Sequence, residues 1–360
     1  MFRRLVKRLL WLFVISRPNH RGGTQKLDAE RTFGGLHLNE NVEQDKNGLV
    51  ESKLLYHYTD QAGLDGILSS GCMWATHFKF LNDLSEREHG FDIFIEALPR
   101  LKAASRDGVI FSSTDWDSFV TNLGKTLRNY FEVTSSFLIS FTTDSPYEIE
   151  HNKSGCDRLS QWRGYAFGKQ GYCLGFDYAP IEEIGDRLHE TIGLSGSLRP
   201  CIYEDEEKIE SAQQIIEPIL EAYTEEIKKN SHNRSRIQPF KDPNGKPMQI
   251  FKARSAHALF LYSLMKHASF DEEHETRLSA IFVDGVSDSN LVQYRDGKGH
   301  RVPYIEVPIG IRRLDSTLKR IVVGPSEQKE QRAKELQFHL QQIGLSKVEV
   351  VLSKIPYRNW

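Results

Sequence analysis

Late in the chain, Glu273-His274-Glu275-Thr276-Arg277 sets two carboxylates and a guanidinium at alternate positions. On a β-strand, alternate residues share one face. A strand over 272–282 would therefore present all three groups together. Two neighbouring carboxylates can divide the work. A carboxylate can steady a developing cation, and two close together tend to raise one pKa, which suits a proton acceptor. The competing reading is a solvated strand, or a helix with a Glu273–Arg277 pair at i,i+4 spacing. Early in the chain, strand alternation in Leu55-Tyr56-His57-Tyr58-Thr59 sets His57 beside Leu55 and Thr59, opposite the tyrosines. A neutral imidazole there could hydrogen-bond a sugar hydroxyl or a carboxamide. A satisfied structural histidine is the alternative.

Other polar and aromatic groups belong to shorter motifs. In Asn82-Asp83-Leu84-Ser85-Glu86, helix capping accounts for Asp83 and Glu86, which leaves Asn82 as the better ligand candidate. Trp162, Tyr165 and Ala166 share a helical face that either stacks on a flat heterocycle or fills core. Arg163, off that stripe, faces phosphate or solvent.

These residues need elements to hold them. The spacing predicts a strand at Leu54–Tyr58, then a helix capped by Thr59 and stopped by Gly71. A helix with Leu84, Phe91, Phe94, Ile95 and Leu98 on one face follows. Ser136–Thr142 reads as a strand with Phe137, Ile139 and Phe141 on one side and Leu138, Ser140 and Thr142 on the other. A helix at Arg158–Phe167 and a strand at Tyr172–Tyr178 come next. Glu204–Lys229 is a long acidic helix kinked near Pro218, Ser231–Pro247 a polar loop, and Gln249–His267 a buried helix. The end of the chain is a β-α-β unit. Strands at Arg320–Val323 and Val348–Ser353 flank a helix at Glu330–Ile343, and Ser326 serves as cap or anion site. Without strict βαβ alternation, the pattern predicts an α+β fold with a mixed central sheet and surrounding helices.

Composition narrows the class. The 360 residues are 39% hydrophobic and 27% charged, an ordinary globular balance, and the net charge of -2 gives no overall pull toward nucleic acid or membrane. Cys72, Cys156, Cys173 and Cys201 form no metal-binding spacing and read as buried thiols of a cytoplasmic protein. Residues 1–50 read as a basic, mobile leader, ahead of one domain over 51–360. The apolar run Leu9–Ile15 is too short to span a bilayer, so a weak membrane-surface anchor is the alternative to an unstructured extension.

In order, Tyr56-His57-Tyr58-Thr59, Leu81-Asn82-Asp83-x-x-Glu86, Ser140-Phe141-Thr142, Trp162-x-x-Tyr165-Ala166, Glu273-x-Glu275-x-Arg277 and Ser353–Arg358 resemble the bacterial domain of unknown function 2971 family. The chain departs from that pattern at Leu84, where a proline is usual, and at Phe270, where a tryptophan is. More distantly, the set resembles NAD-dependent ADP-ribosyltransferases, with a histidine on the first core strand and a glutamate on a late one. That resemblance implies NAD as substrate and a protein or nucleic-acid acceptor, in the setting of a toxin or phage-defence effector. It places Glu275 at the nicotinamide ribose and Glu273 as proton acceptor. It also implies that His57, Tyr58, Thr59, Asn82, Ser140, Thr142, Trp162, Tyr165 and Arg277 line the NAD site. The middle motif, Ser140 with Thr142 or Tyr165, matches only loosely. Arg234, Arg236, Lys241 and Lys246 could approach a nucleic-acid acceptor. The rival readings are a non-catalytic nucleotide or small-ligand sensor using the same pocket and a metal-dependent nuclease using Glu273 and Glu275. No metal-ligand cluster is evident in the sequence.

Overall fold

The computed structural model describes residues 53–81, 86–104, 113–151, 154–166, 170–229, 244–282, 290–297, 299–312 and 315–356. The leader at 1–50, Asn82, Asp83, Leu84 and most of the polar loop after 230 lie outside the described residues.

Strand β1 (Leu54–Asp60) runs straight into helix α1 (Gln61–Ser70). The cap is Asp60 rather than Thr59, which stays in the strand: the Asp60 carboxylate accepts from the Gly63 amide at 3.0 Å. Gly71 ends the helix at φ 74°, a left-handed position that suits glycine. Strand β2 (Cys72–His77) and helices α2 (Glu86–Ala104) and α3 (Ser113–Val133) follow. Next come β3 (Ser136–Thr142), α4 (Pro146–Glu150), α5 (Leu159–Tyr165), β4 (Gly171–Asp177), α6 (Tyr178–Asp186) and α7 (Leu188–Thr191). Strand β5 (Ser195–Pro200) leads to α8 (Asp205–Lys229), which continues through Pro218, and to α9 (Lys246–Leu264). A 3-10 turn (Ala268–Glu273) enters β6 (Glu275–Ile281). The chain closes with β7 (Gln293–Asp296), β8 (Arg301–Pro308), β9 (Leu318–Val323), α10 (Lys329–Gln342) and β10 (Glu349–Leu352). No helix among the described residues is long and apolar enough to cross a membrane.

The fold is α+β around a mixed sheet, with β9 and β10 parallel as the β-α-β pattern requires and the other ladders antiparallel. One edge of β3 is fully occupied by β6, from Ser136↔Ile281 to Thr142↔Glu275. A strand has two edges, so β1 and β2 must share the other. They do so at opposite ends: β2 pairs at Phe137 and Leu138, and β1 touches only at Tyr56↔Thr142. Between those contacts the ladder is open, and the sheet splits into a β10-β9-β4-β1 half and a half built on β3.

On one face the two halves share a core. Leu55, Ile139, Phe141, Leu174, Leu278 and Ile305 pack there under α1, α6 and α10. On the opposite face there are two separate clusters. One joins α2, α3, α8 and α9 over Leu138 and Ile281. The other is small and centres on Tyr56, Tyr58, Trp162 and Cys173. The open ladder and the space between those two clusters make the cleft.

Candidate functional site

A cleft of about 540 Å³ lies along the split and is lined by both halves of the sheet. Its walls include His57 and Thr59 from β1, Ser140 and Thr142 from β3, and Gln161 and Tyr165 from α5. Glu273 and Glu275 enter from the other side, more than 200 residues along the chain from His57. The volume falls in the range of small-molecule sites.

Register explains the acid cluster. Thr142 lies beside Glu275 and Ser140 beside Arg277, on the face that carries Tyr56. Strand β6 is buried along its whole length, so neither a solvated strand nor a helix forms here. Glu273 is not on the strand. It ends the 3-10 turn, and His274 follows at φ 41°, the one non-glycine residue with positive φ among the described residues. That left-handed step turns both carboxylates onto a single ammonium. Lys266 Nζ donates to Glu273 Oε2 and to Glu275 Oε2, each at 2.5 Å. Phe270 sits under the same ammonium at 5.1 Å, a cation–π contact that needs only an aromatic ring at this position.

Glu275 is 6% exposed and also binds Arg277, through Nε at 2.8 Å and Nη2 at 3.0 Å. Burial alone would raise its pKa, but Arg277 and Lys266 outweigh it and hold the carboxyl at about 2. Glu275 is therefore not a carboxyl that its neighbour pushes upward, because Arg277 and Lys266 stand against it. The raised carboxyl is Glu86 instead. Its Oε1 accepts from Arg277 Nη2 at 2.9 Å, its buried Oε2 has no partner, and burial drives its pKa up. Glu86 thus serves the charge cluster rather than a helix cap. Three carboxylates face two cations across this network.

Arg158 fixes the entry to β6. Its guanidinium donates to the Glu273 carbonyl at 2.8 Å, to Thr142 Oγ1, and to the Thr143 carbonyl at 2.6 Å. Glu148 answers it at 2.8 and 2.5 Å. Burial would raise the Glu148 carboxyl, yet hydrogen bonds from Arg158 and the Ser145 amide bring it to about 2. Thr142 also donates to the Glu273 carbonyl.

Across the split, His57 is half-buried and its Nδ1 lies 3.0 Å from the Ser140 carbonyl, in the gap where β1 and β3 do not pair. Burial lowers its pKa, and the Ser140 contact only partly opposes that. In the neutral ring Nδ1 is then the donor, which leaves Nε2 as an acceptor.

Several expected ligands are structural instead. Trp162 is 1% exposed, packs on Tyr58 at 4.7 Å and donates Nε1 to Asp157 at 2.8 Å. Asp157 is held in turn by Ser353 Oγ at 2.6 Å and the Lys354 amide at 2.7 Å, which gives the C-terminal motif a packing role. Arg277 is buried behind Glu275 and does not line the cleft. Tyr58 borders the cleft, but its hydroxyl donates to the Gly155 carbonyl at 2.5 Å. Tyr165 is 43% exposed at the cleft wall, and its hydroxyl is pushed up to about 12, first by loss of water and then by Glu275 and Glu273. Ser326 does not cap α10; Gln328 holds that position and Ser326 Oγ has no hydrogen-bond partner. The four cysteines are free thiols, three of them buried. Among the described residues no group of three His, Cys, Asp or Glu could hold a metal, and between Glu273 and Glu275 stands an ammonium.

Lys266 carries no spacing signal in the sequence, and neither does the link from Glu86 to Arg277, 191 residues away. Only the pairing order brings those groups together.

Residues 161–278 match the family model described as Protein of unknown function (DUF2971). The matched segment carries Gln161, Tyr165, Glu273 and Glu275, which line the cleft, and Lys266, which binds both carboxylates. The β1 wall and the Ser140-Phe141-Thr142 strand fall outside it. No curated protein and no solved structure matches the chain.

Proposed function

We propose that the cleft binds NAD and that the protein cleaves its nicotinamide–ribose bond, transferring ADP-ribose to a protein or nucleic-acid acceptor. One observation carries this reading. A neutral imidazole and an ionised carboxylate, 218 residues apart along the chain and on opposite faces of the sheet, both line one cavity of ligand size that runs through the open ladder between β1 and β3.

In this reading the C1′–N bond breaks with its electron pair leaving on nicotinamide, and positive charge grows on the ribose. Glu275 stays ionised within its network, and a carboxylate beside the ribose favours that cation. Arg277 and Lys266 occupy three of about four lone-pair positions on Glu275. The remaining one accepts from a ribose hydroxyl without a prior proton loss. His57 Nε2 accepts from a second hydroxyl or from the carboxamide, and Tyr165 offers a ring to the nicotinamide. Glu273, held by Arg158 and Thr142 through its carbonyl, takes the proton of the attacking acceptor.

The heavy pairing of Glu275 favours a second reading, a nucleotide sensor that binds and does not turn over. Incubating the purified protein with NAD and quantifying free nicotinamide separates them. Release that falls at least tenfold in Glu273→Gln supports the transferase. Tight NAD binding with no release over the uncatalysed rate, across protein and nucleic-acid acceptors, leaves the sensor.

A further inference from the structure

The face that carries Glu275 continues past β3. Leu138 lies beside Thr76, Thr76 beside Tyr304, and Tyr304 beside Gln293, so β6, β3, β2, β8 and β7 present one continuous row of side chains. At about 4.8 Å per strand, this row spans roughly 19 Å from β6 to β7. On β2, in the middle of this row and on the same face as Thr76, Trp74 is 46% exposed. The indole packs against Tyr304 at 4.4 Å with the rings tilted by 32°. Arg295, from β7, reaches over β8 to donate to Thr76 Oγ1 at 3.0 Å, with its guanidinium carbon 5.9 Å from the Trp74 ring centre. Both side chains line the same cleft as His57 and Glu275.

Arg295 differs from the other arginines of the site. Arg277 and Arg158 each meet carboxylates. No carboxylate among the described residues lies within ion-pair distance of Arg295. An arginine that bridges to a threonine and lies near an indole, with no acid to answer it, has donors to spare for an anion. Loss of water at its head pulls its pKa below the usual arginine value, as expected for a cation without a counter-charge. The half-exposed indole beside it suits a base.

We propose that Trp74 and Arg295 form a nucleotide subsite, in which the indole stacks on a nucleobase and the guanidinium binds a phosphate oxygen of the same nucleotide. This rests on the NAD reading and assigns to that wall the nucleoside diphosphate end of the ligand, away from the acid cluster.

ADP is the probe, because it lacks the glycosidic bond to nicotinamide. Calorimetric titration of ADP into the full chain should give saturable binding. Arg295→Ala and Trp74→Ala should each weaken it at least tenfold, and Arg295→Lys should restore part of the loss. Pyrophosphate should compete, and adenosine should compete more weakly than ADP. Both side chains are exposed, so thermal melts should match wild type and exclude misfolding. No ADP binding, or ADP binding equal in all three variants, overturns the subsite. So does pyrophosphate binding as tightly as ADP, which would mean an anion site without a base platform. Nicotinamide release is read separately. Intact ADP binding with no release removes the transferase and keeps the subsite; release without ADP binding does the reverse.

Discussion

The charge cluster behind the cleft rests on one lysine. With Lys266 replaced by methionine, Glu273 and Glu275 would face each other without their shared cation, and the buried Glu275 would keep only Arg277. Breaking a buried pair by removing one partner costs about 3–5 kcal/mol. Denaturant unfolding of Lys266→Met at neutral pH should show a loss of that size, reduced as pH falls and the carboxylates take up protons. Glu275 itself has its folded pKa depressed, from 4.5 to about 2. Its contribution to stability is therefore complete above about pH 4.5 and is lost as pH falls toward 2. The shift corresponds to something on the order of 3 kcal/mol. Glu86 has the opposite sign: its folded pKa is raised, so its ionised form is the strained one near neutrality. Glu86→Gln should leave stability within about 1 kcal/mol of wild type or increase it, whereas Glu275→Gln should lower it by about 3 kcal/mol or more. Equal losses from the two substitutions would contradict the assigned charge states.

At the scale of elements, the step at His274 is what makes two acids from different elements converge. Its φ of 41° costs a side-chain-bearing residue about 1 kcal/mol, and a β-branched one more. His274→Gly should keep or raise the melting temperature, and His274→Val should lower it and detach Glu273 from Lys266. Gly171 is a second such element-level constraint. A Cβ there would stand 2.4 Å from the Ala166 Cβ and 3.1 Å from the Trp162 ring, so Gly171→Ala should cost about 1–3 kcal/mol by overpacking α5 on β4. Chemical denaturation measures both.

Much of this level was legible in the sequence. The alternation in Ser136–Thr142 predicts both faces of β3, and the C-terminal β-α-β unit appears with its parallel pairing. Glu273, by contrast, reads as strand because its i,i+2 spacing from Glu275 imitates alternation. Nothing in residue types announces a left-handed histidine between them. Trp162 reads as core or as platform, and the Gly171 and Tyr58 contacts decide for core.

At the scale of the molecule, the site exists because β3 has more neighbours than edges. Full pairing with β6 on one side leaves β1 and β2 to divide the other, and the gap between them joins His57 to the acid cluster. Single residues announce their chemistry, but the order in which strands pair is a property of the whole chain. For that reason His57 and Glu275 stood out early, while Lys266, Glu86 and Arg295 did not.

The decisive measurement is a double-mutant cycle on NAD affinity, using His57→Ala and Glu273→Gln, two side chains on opposite banks of the cleft. The account predicts saturable NAD binding to wild type, weakened about tenfold or more by each change, with melting temperatures within a few degrees of wild type. The double variant should lose less than the product of the two, since both groups hold one ligand. NAD that fails to bind wild type, or binds both single variants with unchanged affinity, would contradict it.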